Sequence, residues 1–283
     1  MVFWVLTLFP EMLECLRYSV VGKAWQAGII DVRVVDYRQF AAGKHKCVDD
    51  APYGGGGGMV LKVEPIVSAL RSLPAMENVR LESEEARDAS VSQGTGGRRV
   101  VLLSPQGKIF RQEDSRRLSA YDEVVFICGR YEGFDERVRA HVDEEISLGD
   151  YVVSGGELAA AVLIDAVARH IEGVLGNSGS ALMESHADGY LEYPHFTRPE
   201  IYEGMKAPTV LLSGNHADIE RWRRKEALRR TFLRRPDLFD DLTFAAGDYV
   251  LLEELALEYP GLAGQRGRWQ HLRPRPKRVW RSR

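Results

Sequence analysis

The stretch that decides the fold is Ile146-Ser147-Leu148-Gly149-Asp150-Tyr151-Val152-Val153-Ser154-Gly155-Gly156-Glu157, which ends an apolar strand and leads through glycines into a helix. Two similar turns precede it, Leu102-Leu103-Ser104-Pro105-Gln106-Gly107 and Cys128-Gly129-Arg130-Tyr131-Glu132-Gly133. A glycine at a strand end lets backbone groups approach a ligand that a Cβ would keep away. Three such turns after consecutive strands predict a ligand crevice at the carboxyl edge of an α/β sheet.

The composition is that of a globular protein with a sizeable core. The chain has 283 residues, of which 45% are hydrophobic and 28% charged. No apolar run in the sequence approaches the roughly 20 residues that cross a bilayer, and residues 1–10 predict a buried first strand and not a signal peptide. The cysteines Cys15, Cys47 and Cys128 lack metal-ligand spacing, which favours a reduced, cytoplasmic setting.

Strand and helix signals alternate through the first half of the chain. The pattern predicts strands at Phe3–Phe9, Ile29–Asp36, Val100–Leu103 and Glu123–Cys128, and helices at Pro10–Gly28, at Val63–Leu73 and from Gly155 onward. Short, continuously apolar strands are typical of a parallel sheet covered on both faces. The last helix is apolar nearly all round, which predicts burial in the core or against a second subunit. Residues 40–58 predict a loop that ends in glycines, and residues 82–99 a mobile surface insertion.

Positive charge is concentrated near the C-terminus, although the net charge is −3. Residues 221–235 interleave Arg and Lys with Trp222 and Phe232, and residues 264–283 contain no acidic residue. This asymmetry indicates a polyanionic partner. The helix predicted at Ile219–Leu233 would place its cations on RNA phosphates, and the alternative is a solvated amphipathic face.

These motifs resemble those of the bacterial tRNA (guanine-N1)-methyltransferase family, whose members methylate guanosine 37 beside the anticodon. The resemblance extends from Leu8 to about Leu238 and depends on the order and spacing of the motifs together. Besides the three turns, they are Leu8-Phe9-Pro10-Glu11-Met12, Val48-Asp49-Asp50-Ala51-Pro52-Tyr53-Gly54-Gly55-Gly56, Pro194-His195-Phe196-Thr197-Arg198-Pro199, Leu212-Ser213-Gly214-Asn215-His216 and Arg234-Arg235-Pro236-Asp237-Leu238.

The resemblance implies a SPOUT-class α/β fold, a mostly parallel sheet with flanking helices and a deep trefoil knot at about residues 100–160. It implies a methyltransferase domain at 1–174, a flexible linker or lid at 175–191 and a mostly helical tRNA-binding domain at 192–259. Beyond the resemblance, the Pro- and Arg-rich composition predicts a basic, disordered tail at 260–283. The resemblance also implies a homodimer that binds S-adenosylmethionine in the knot and tRNA across both subunits. The missing G-x-G-x-x-G after the first strand agrees with a site that is not of the Rossmann type.

Methylating guanine N1 requires a base that removes the N1 proton and a cation that stabilises the charge moving to O6. By resemblance, Arg169 is the catalytic arginine, whereas the residues alone favour an arginine that complements the helix macrodipole. Glu184 stands where the family has its catalytic aspartate, and the residues alone favour a solvated linker acid. Glu192 is the second candidate for the base and Asp188 the third.

The resemblance also assigns the binding residues. Cofactor contacts fall on Leu102, Leu103, Pro105, Gly129, Tyr131, Glu132, Gly133, Leu148, Gly149, Tyr151, Val153, Gly155 and Gly156, and Ala159 stands where the family often has proline. Substrate contacts fall on Asp50, Gly55, Arg130, Glu192, His195, Arg223, Arg224 and Arg230. No metal-ligand set is predicted, because His195 and His216 have no partners at ligand spacing. The family uses Mg²⁺, which is expected to be loosely held.

Three functions remain open at the level of sequence. The leading hypothesis is a tRNA (guanine37-N1)-methyltransferase. The second is a related knotted methyltransferase that acts on ribosomal RNA or on a ribose 2′-hydroxyl. The third is a non-catalytic RNA-binding protein that senses the cofactor.

Overall fold

The computed structural model of the protein describes residues 1–74, 97–176, 185–186 and 189–272. The chain divides into two compact units, Met1–Ser178 and Gly179–Arg283, and this division falls inside the linker predicted at 175–191. Of the insertion predicted at 82–99, residues 82–96 lie outside the described part of the chain. None of the described helices combines the length and apolarity that a membrane span requires.

The first unit contains a parallel sheet with helices on its faces. Its strands are β1 (Val2–Thr7), β2 (Asp31–Asp36), β3 (Asp49–Asp50), β4 (Val60–Leu61), β5 (Arg98–Ile109), β6 (Glu123–Cys128) and β7 (Glu144–Ser147). Its α-helices are α1 (Ser19–Gln26), α2 (Val63–Arg71), α3 (Gln112–Leu118) and α4 (Gly156–Ala168), and 3-10 helices cover Pro10–Arg17, Tyr37–Phe40 and Glu136–His141. The large sheet has the order β2-β1-β6-β5-β7 with parallel neighbours throughout, which confirms the predicted α/β class.

Side chains of the central strands alternate between two hydrophobic clusters, one on each face of the sheet. Along β1, Phe3 and Val5 pack in the cluster that includes residues of α1 and α4. Trp4 and Leu6 point to the opposite face and pack in the cluster that includes residues of α2. Both faces of the strand are therefore buried, as the continuous apolar runs predict.

The helix predicted at Pro10–Gly28 is wrong as a single element. A 3-10 helix covers Pro10–Arg17, the backbone is extended at Tyr18, and α1 begins at Ser19. Leu16 before the break and Val21 after it are both buried in the same cluster. The break redirects the chain so that both segments present apolar side chains to the core.

The strand predicted at Val100–Leu103 is longer and begins inside the predicted insertion. Arg98 and Arg99 belong to β5, where they lie opposite Glu123 and Val124 of β6. Arg98 also forms an ion pair with Glu123, and Arg99 pairs with Glu144 across 2.9 Å. Leu103 and Lys108 both face Ile146 of β7, and residues 104–107 loop out between them. The predicted turn therefore interrupts the strand and does not end it.

The second unit is mostly helical. It contains β8 (Ile201–Tyr202), β9 (Met205–Lys206), α5 (Thr209–Leu212), α6 (His216–Arg234), α7 (Pro236–Asp241), α8 (Asp248–Glu258) and α9 (Pro260–Ala263), with 3-10 helices at Arg266–Arg268 and Gln270–Leu272. Asn215 caps α6 by accepting hydrogen bonds from the backbone N–H groups of Ala217 and Asp218. Leu228 of α6 and Leu252 of α8 are fully buried in one cluster.

The disordered tail predicted at 260–283 is wrong for residues 260–272. Leu262 and Trp269 are fully buried in the core of the second unit. The indole Nε1 of Trp269 donates to Glu253 across 3.0 Å. Two apolar anchors hold this segment against α8 in spite of its Pro and Arg content, and residues 273–283 lie outside the described part.

Candidate active site

The three predicted turns converge on one cavity of about 340 Å³ at the carboxyl edge of β5, β6 and β7. Every predicted cofactor residue lines it except Leu102 and Gly149. Leu102 is fully buried in the sheet core, and Gly149 packs against the ring of Tyr151. The volume and the mixture of apolar walls with a few polar groups are typical of a small-molecule site.

The sequence did not single out Glu136 and Arg139, which also line the cavity. They lie on the 3-10 helix that follows the second turn. Arg139 donates to Gln106 across 2.9 Å and to Glu136 across 2.9 Å. Arg139 thus ties the first turn to the segment after the second, and the only signal for it was its position a few residues after Gly133.

The glycines of these turns let the turns pack on each other. Gly156 N–H donates to the carbonyl of Gly129 across 2.9 Å. A Cβ added to Gly156 would lie 2.8 Å from Cα of Cys128 and 3.0 Å from N of Gly129. Tyr131, at the tip of the second turn, has a φ of 61°, a conformation uncommon for residues other than glycine.

We expect Gly156→Ala to weaken binding of S-adenosylmethionine, the donor that the resemblance implies, by about 10–100-fold, because the new methyl group would push β6 and the start of α4 apart. Isothermal titration calorimetry on the purified variant measures this, with a thermal melt to monitor folding. The matched control is Gly247→Ala, whose Cβ would meet nothing within 4 Å and whose φ of −72° suits alanine. An unchanged dissociation constant for Gly156→Ala would contradict the expectation.

A glycine loop lies against the second turn. β3, inside the loop predicted at 40–58, pairs with β4, directly after that loop, in an antiparallel hairpin. The hairpin is hydrogen-bonded to the turn from Glu132 N–H to Met59 O across 3.0 Å and from Leu61 N–H to Gly133 O across 2.9 Å. Gly58 has a φ of 81°, and a Cβ there would collide with the side chain of Glu132. The glycine at position 58 therefore lets the loop pack against Glu132, which lines the cavity.

Asp50 lies on the same hairpin. It is exposed, with an ion pair to Lys62 across 3.3 Å. The backbone N–H of Ala51 and then the Lys62 ammonium hold the pKa of Asp50 below its usual value. Asp50 is therefore an ionised, acceptor-only side chain at neutral pH. Gly55 is exposed in the glycine loop.

A second depression adjoins the cavity. It has a volume of about 520 Å³ and is more open, and Phe9 forms part of its lining. Arg130, Tyr131 and Glu132 line both the depression and the cavity, as do residues 152–154. The second turn is thus a common wall between two neighbouring binding spaces.

Cys128 lies directly behind the cavity and is fully buried. Burial, and then the neighbouring Glu157 carboxylate, raises the pKa of the Cys128 thiol well above its usual value. A neutral thiol is a poor nucleophile. The hydroxyl of Tyr37 donates to the carbonyl of Cys128 across 3.2 Å. This cluster is structural support for the second turn.

Comparison with known proteins identifies the family of this chain. The sequence model described as tRNA (Guanine-1)-methyltransferase TrmD matches residues 1–241. The chain belongs to this family. Its relatives include proteins named tRNA (guanine-N(1)-)-methyltransferase from Desulfitobacterium hafniense (56% identical, covering 98% of this chain and 99% of the relative) and Syntrophotalea carbinolica (51% identical, covering 90% and 96%). A third, from Lacticaseibacillus paracasei, is 50% identical and covers 90% and 93%. The predicted family and enzyme class are confirmed.

The arginine that the family resemblance assigns to catalysis lies far from the cavity of its own chain. Arg169 follows the last residue of α4, and Gly156 at the other end of α4 lines the cavity. The helix has 13 residues, so about 20 Å separates its two ends. The structure does not bring Arg169 to the cavity within one chain.

One face of α4 is exposed. Leu158 is 49% exposed and Val162 is 51% exposed, although the opposite side of the helix is buried in the core. Arg169 follows these residues at helical spacing on the same side. The core therefore buries one side of α4, and the exposed Leu158 and Val162 form an apolar patch on the other side. Burial of this patch against a second subunit stays a prediction.

Glu184 and Asp188, the first and third candidates for the base, lie outside the described residues. Glu192, the second candidate, is described in the second unit. Its carboxylate lies 2.6 Å from Nε2 of His195. The two side chains form an exposed pair in this unit.

Acidic residues neutralise much of the positive charge on α6. Arg224 forms two hydrogen bonds of 2.8 Å to Asp248 and stacks on Tyr190. Arg221 and Lys225 pair with Glu254 of α8. The positive charge of Arg221, Arg224 and Lys225 is therefore balanced in part by acids from another helix, and their contact with RNA stays a prediction.

The other two arginines of α6 that were predicted to bind substrate differ from Arg224. Arg223 pairs with Glu220 across 2.6 Å and lies over the ring of Tyr193. Within the described residues, the buried Nε of Arg230 has no hydrogen-bond partner. Over residues 1–74, 97–176, 185–186 and 189–272, no three His, Cys, Asp or Glu side chains form a group that could hold a metal ion.

Proposed function

We propose that this protein uses S-adenosylmethionine to methylate N1 of guanosine 37 in tRNA. The observation that carries the proposal is the cavity that three turns build at the carboxyl edge of the sheet, in a chain of the tRNA (guanine-1)-methyltransferase family. The cavity supplies a place for the methyl donor, and the adjoining depression supplies a place for the base that receives the methyl group.

The side chains around the cavity fit the donor. Leu103, Ile146 and Leu148 provide apolar surface for an adenine ring. The rings of Tyr131 and Tyr151 and the carboxylate of Glu132 suit a sulfonium cation. When bound, S-adenosylmethionine supplies an electrophilic methyl group, and these residues would hold it in line with the acceptor.

Arg130 and Glu132 lie where guanine would meet the donor, because they line both binding spaces. A carboxylate accepts from the N2 amino group of guanine, and an arginine donates to O6 or N7. Guanine would then be selected over adenine, because adenine lacks the N2 amino group and the O6 oxygen that these two side chains would contact. Asp50 and Gly55 are proposed to contact the tRNA from the hairpin that borders the second turn.

Glu184 is proposed to remove the N1 proton, and Arg169 to stabilise the charge that moves to O6. The length of α4 separates Arg169 from its own cavity, which supports a homodimer in which each Arg169 serves the cavity of the other subunit. The exposed Leu158 and Val162 beside it give that interface an apolar surface. The trefoil knot at about residues 100–160 and a loosely held Mg²⁺ belong to this proposal.

Arg223, Arg230, Glu192 and His195 are proposed to contact the tRNA from the second unit. Arg224 would act differently, since Asp248 engages two of its nitrogens and the side chain anchors α6 to α8. The number of phosphates that α6 neutralises would then be smaller than its count of arginines indicates.

The test is incubation of the purified protein with labelled S-adenosylmethionine and unmethylated tRNA transcripts that carry G37 or A37. We expect label only in the G37 transcript and N1-methylguanosine after digestion to nucleosides. Omission of Mg²⁺ with added EDTA is expected to slow the reaction. A 2′-O-methylated nucleoside would support the second enzyme hypothesis, and tight binding without transfer would support a non-catalytic RNA-binding protein.

A further inference from the structure

A buried carboxylate lies behind the wall that the cavity and the depression share. Glu157, in the first turn of α4, is fully buried. Its Oε1 accepts a hydrogen bond of 2.6 Å from the hydroxyl of Thr7. Its Oε2 lies 3.0 Å from Nη2 of Arg130. A carboxylate removed from water is costly unless it is paired, so this position indicates a specific requirement for its charge.

Arg130 is held from three sides. Besides Glu157, its guanidinium lies 4.2 Å from the centre of the Phe9 ring, and Nη2 contacts Sδ of Met12. The side chain is 17% exposed. A carboxylate, an aromatic ring and a thioether thus surround the guanidinium, and Arg130 lines both the cavity and the depression.

Thr7 connects the same carboxylate to the other side of Arg130. The Thr7 hydroxyl accepts a hydrogen bond of 2.9 Å from the backbone N–H of Phe9, while it donates to Glu157. Glu157 therefore anchors both the cation and the segment whose aromatic ring lies against that cation. The arrangement fixes the position and orientation of the guanidinium before any ligand binds.

Gly155 is a second, independent indication that the ion pair between Glu157 and Arg130 is required. Its φ is −174°, an extended conformation that any residue adopts, so the backbone does not demand glycine there. A Cβ on Gly155 would lie 2.5 Å from Nε of Arg130 and 2.5 Å from Oε2 of Glu157. The ion pair packs directly on the Cα of Gly155, and space for the pair is the reason for glycine at this position.

We propose that Glu157 is a positioning residue that acts through Arg130. It holds the guanidinium at the boundary between the donor and acceptor spaces, so that guanine meets a preset cation. The inference rests on the proposed function and deepens it, because it identifies what prepares the acceptor site. Preset groups lose less freedom when the substrate binds, and small displacements of such groups are costly.

The test is a double-mutant cycle of Glu157→Gln and Arg130→Gln on kcat/KM for tRNA. We expect Glu157→Gln to lower kcat/KM by roughly 10–100-fold while the dissociation constant for S-adenosylmethionine stays within about twofold. The double variant is expected to equal Arg130→Gln within about twofold, because Glu157 has nothing to position once Arg130 is gone. Additive losses would overturn the proposal.

A matched control is Glu144→Gln. Glu144 holds Arg99 and Arg117 at the far end of β7 from the turn and does not line the cavity. We expect this variant to lower the melting temperature and leave kcat/KM for tRNA unchanged. If Glu157→Gln does not fold, the cycle is run with Glu157→Asp, which keeps the charge and withdraws the carboxylate by one methylene.

The wild-type reaction distinguishes failure of the proposed function from failure of the positioning role of Glu157. Absence of N1-methylguanosine from the wild-type reaction would overturn the proposed function itself. With an active wild type, a loss of cofactor binding by Glu157→Gln as large as its loss of turnover would overturn the positioning role and leave the function standing.

Discussion

Arg169→Ala is expected to lower the rate of methyl transfer by about 10²–10³-fold, the usual effect of removing one donor that stabilises developing negative charge. The affinity for S-adenosylmethionine is expected to stay within about twofold of the wild type, because the proposed role of Arg169 is on O6 of the guanine and not on the donor. Single-turnover kinetics with saturating tRNA measure the first quantity and calorimetry the second.

Subunit mixing tests where Arg169 acts. Arg169→Ala is mixed and reassociated with Gly156→Ala, and activity is assayed well below the dissociation constant of Gly156→Ala for the donor. If Arg169 serves the other subunit, a heterodimer has one intact site, and random reassociation restores about one quarter of the wild-type activity. Activity no higher than that of the two separate variants would contradict an arginine shared across the dimer.

Glu184→Ala is expected to lower the rate of methyl transfer by about 10²–10⁴-fold, because the N1 proton would lose its base. Binding of S-adenosylmethionine and of tRNA is expected to be retained. The wild-type single-turnover rate should rise with pH as the base ionises, and the variant should lose that dependence. Glu184→Asp restores the residue that the resemblance assigns to the family and is expected to remain active.

Glu192→Gln and Asp188→Asn are the matched controls for this prediction. Glu192 is paired with His195 at 2.6 Å, so its amide variant is expected to change KM for tRNA more than kcat. A loss of kcat in either control as large as that in Glu184→Ala would reassign the base. Retention of full activity by Glu184→Ala would remove Glu184 from the mechanism.

Local signals predicted the sheet and its crevice well. The apolar runs of β1 and β6 and the glycines that follow β6 and β7 depend only on neighbours in sequence. Parallel strands bring their carboxyl ends to one edge, so turns that are far apart in sequence meet there. For the same reason the predicted cofactor residues line one cavity, with Leu102 and Gly149 as the exceptions.

Contacts between segments that are far apart in the chain could not be predicted from the sequence. The acids that neutralise Arg224 and Lys225 are Asp248, Glu254 and Glu258, which lie on a different helix. Composition in a short window counts the arginines of α6 and misses these partners. Likewise, the local sequence places Trp269 in a basic tail, and only the structure shows that this side chain is buried in the core of the second unit.

The reason for individual glycines was also hidden. The sequence predicts that the glycines of the three turns allow close approach of a ligand. In the structure, Gly156 makes room for the backbone of Cys128 and Gly129, and Gly155 makes room for an ion pair. These contacts lie on the core side of the turn, whereas a ligand would lie on the cavity side. Only packing distances in the structure show which of the two requires the glycine.

The wall common to the cavity and the depression has a thermodynamic consequence. Arg130, Tyr131 and Glu132 line both spaces. A molecule that binds in one space and restricts the motion of these side chains therefore changes the affinity of the other space for its own ligand. Linkage then requires symmetry: the factor by which either substrate tightens the other must be the same in both directions. The order in which the two arrive would change the kinetic path to the ternary complex and leave its free energy untouched.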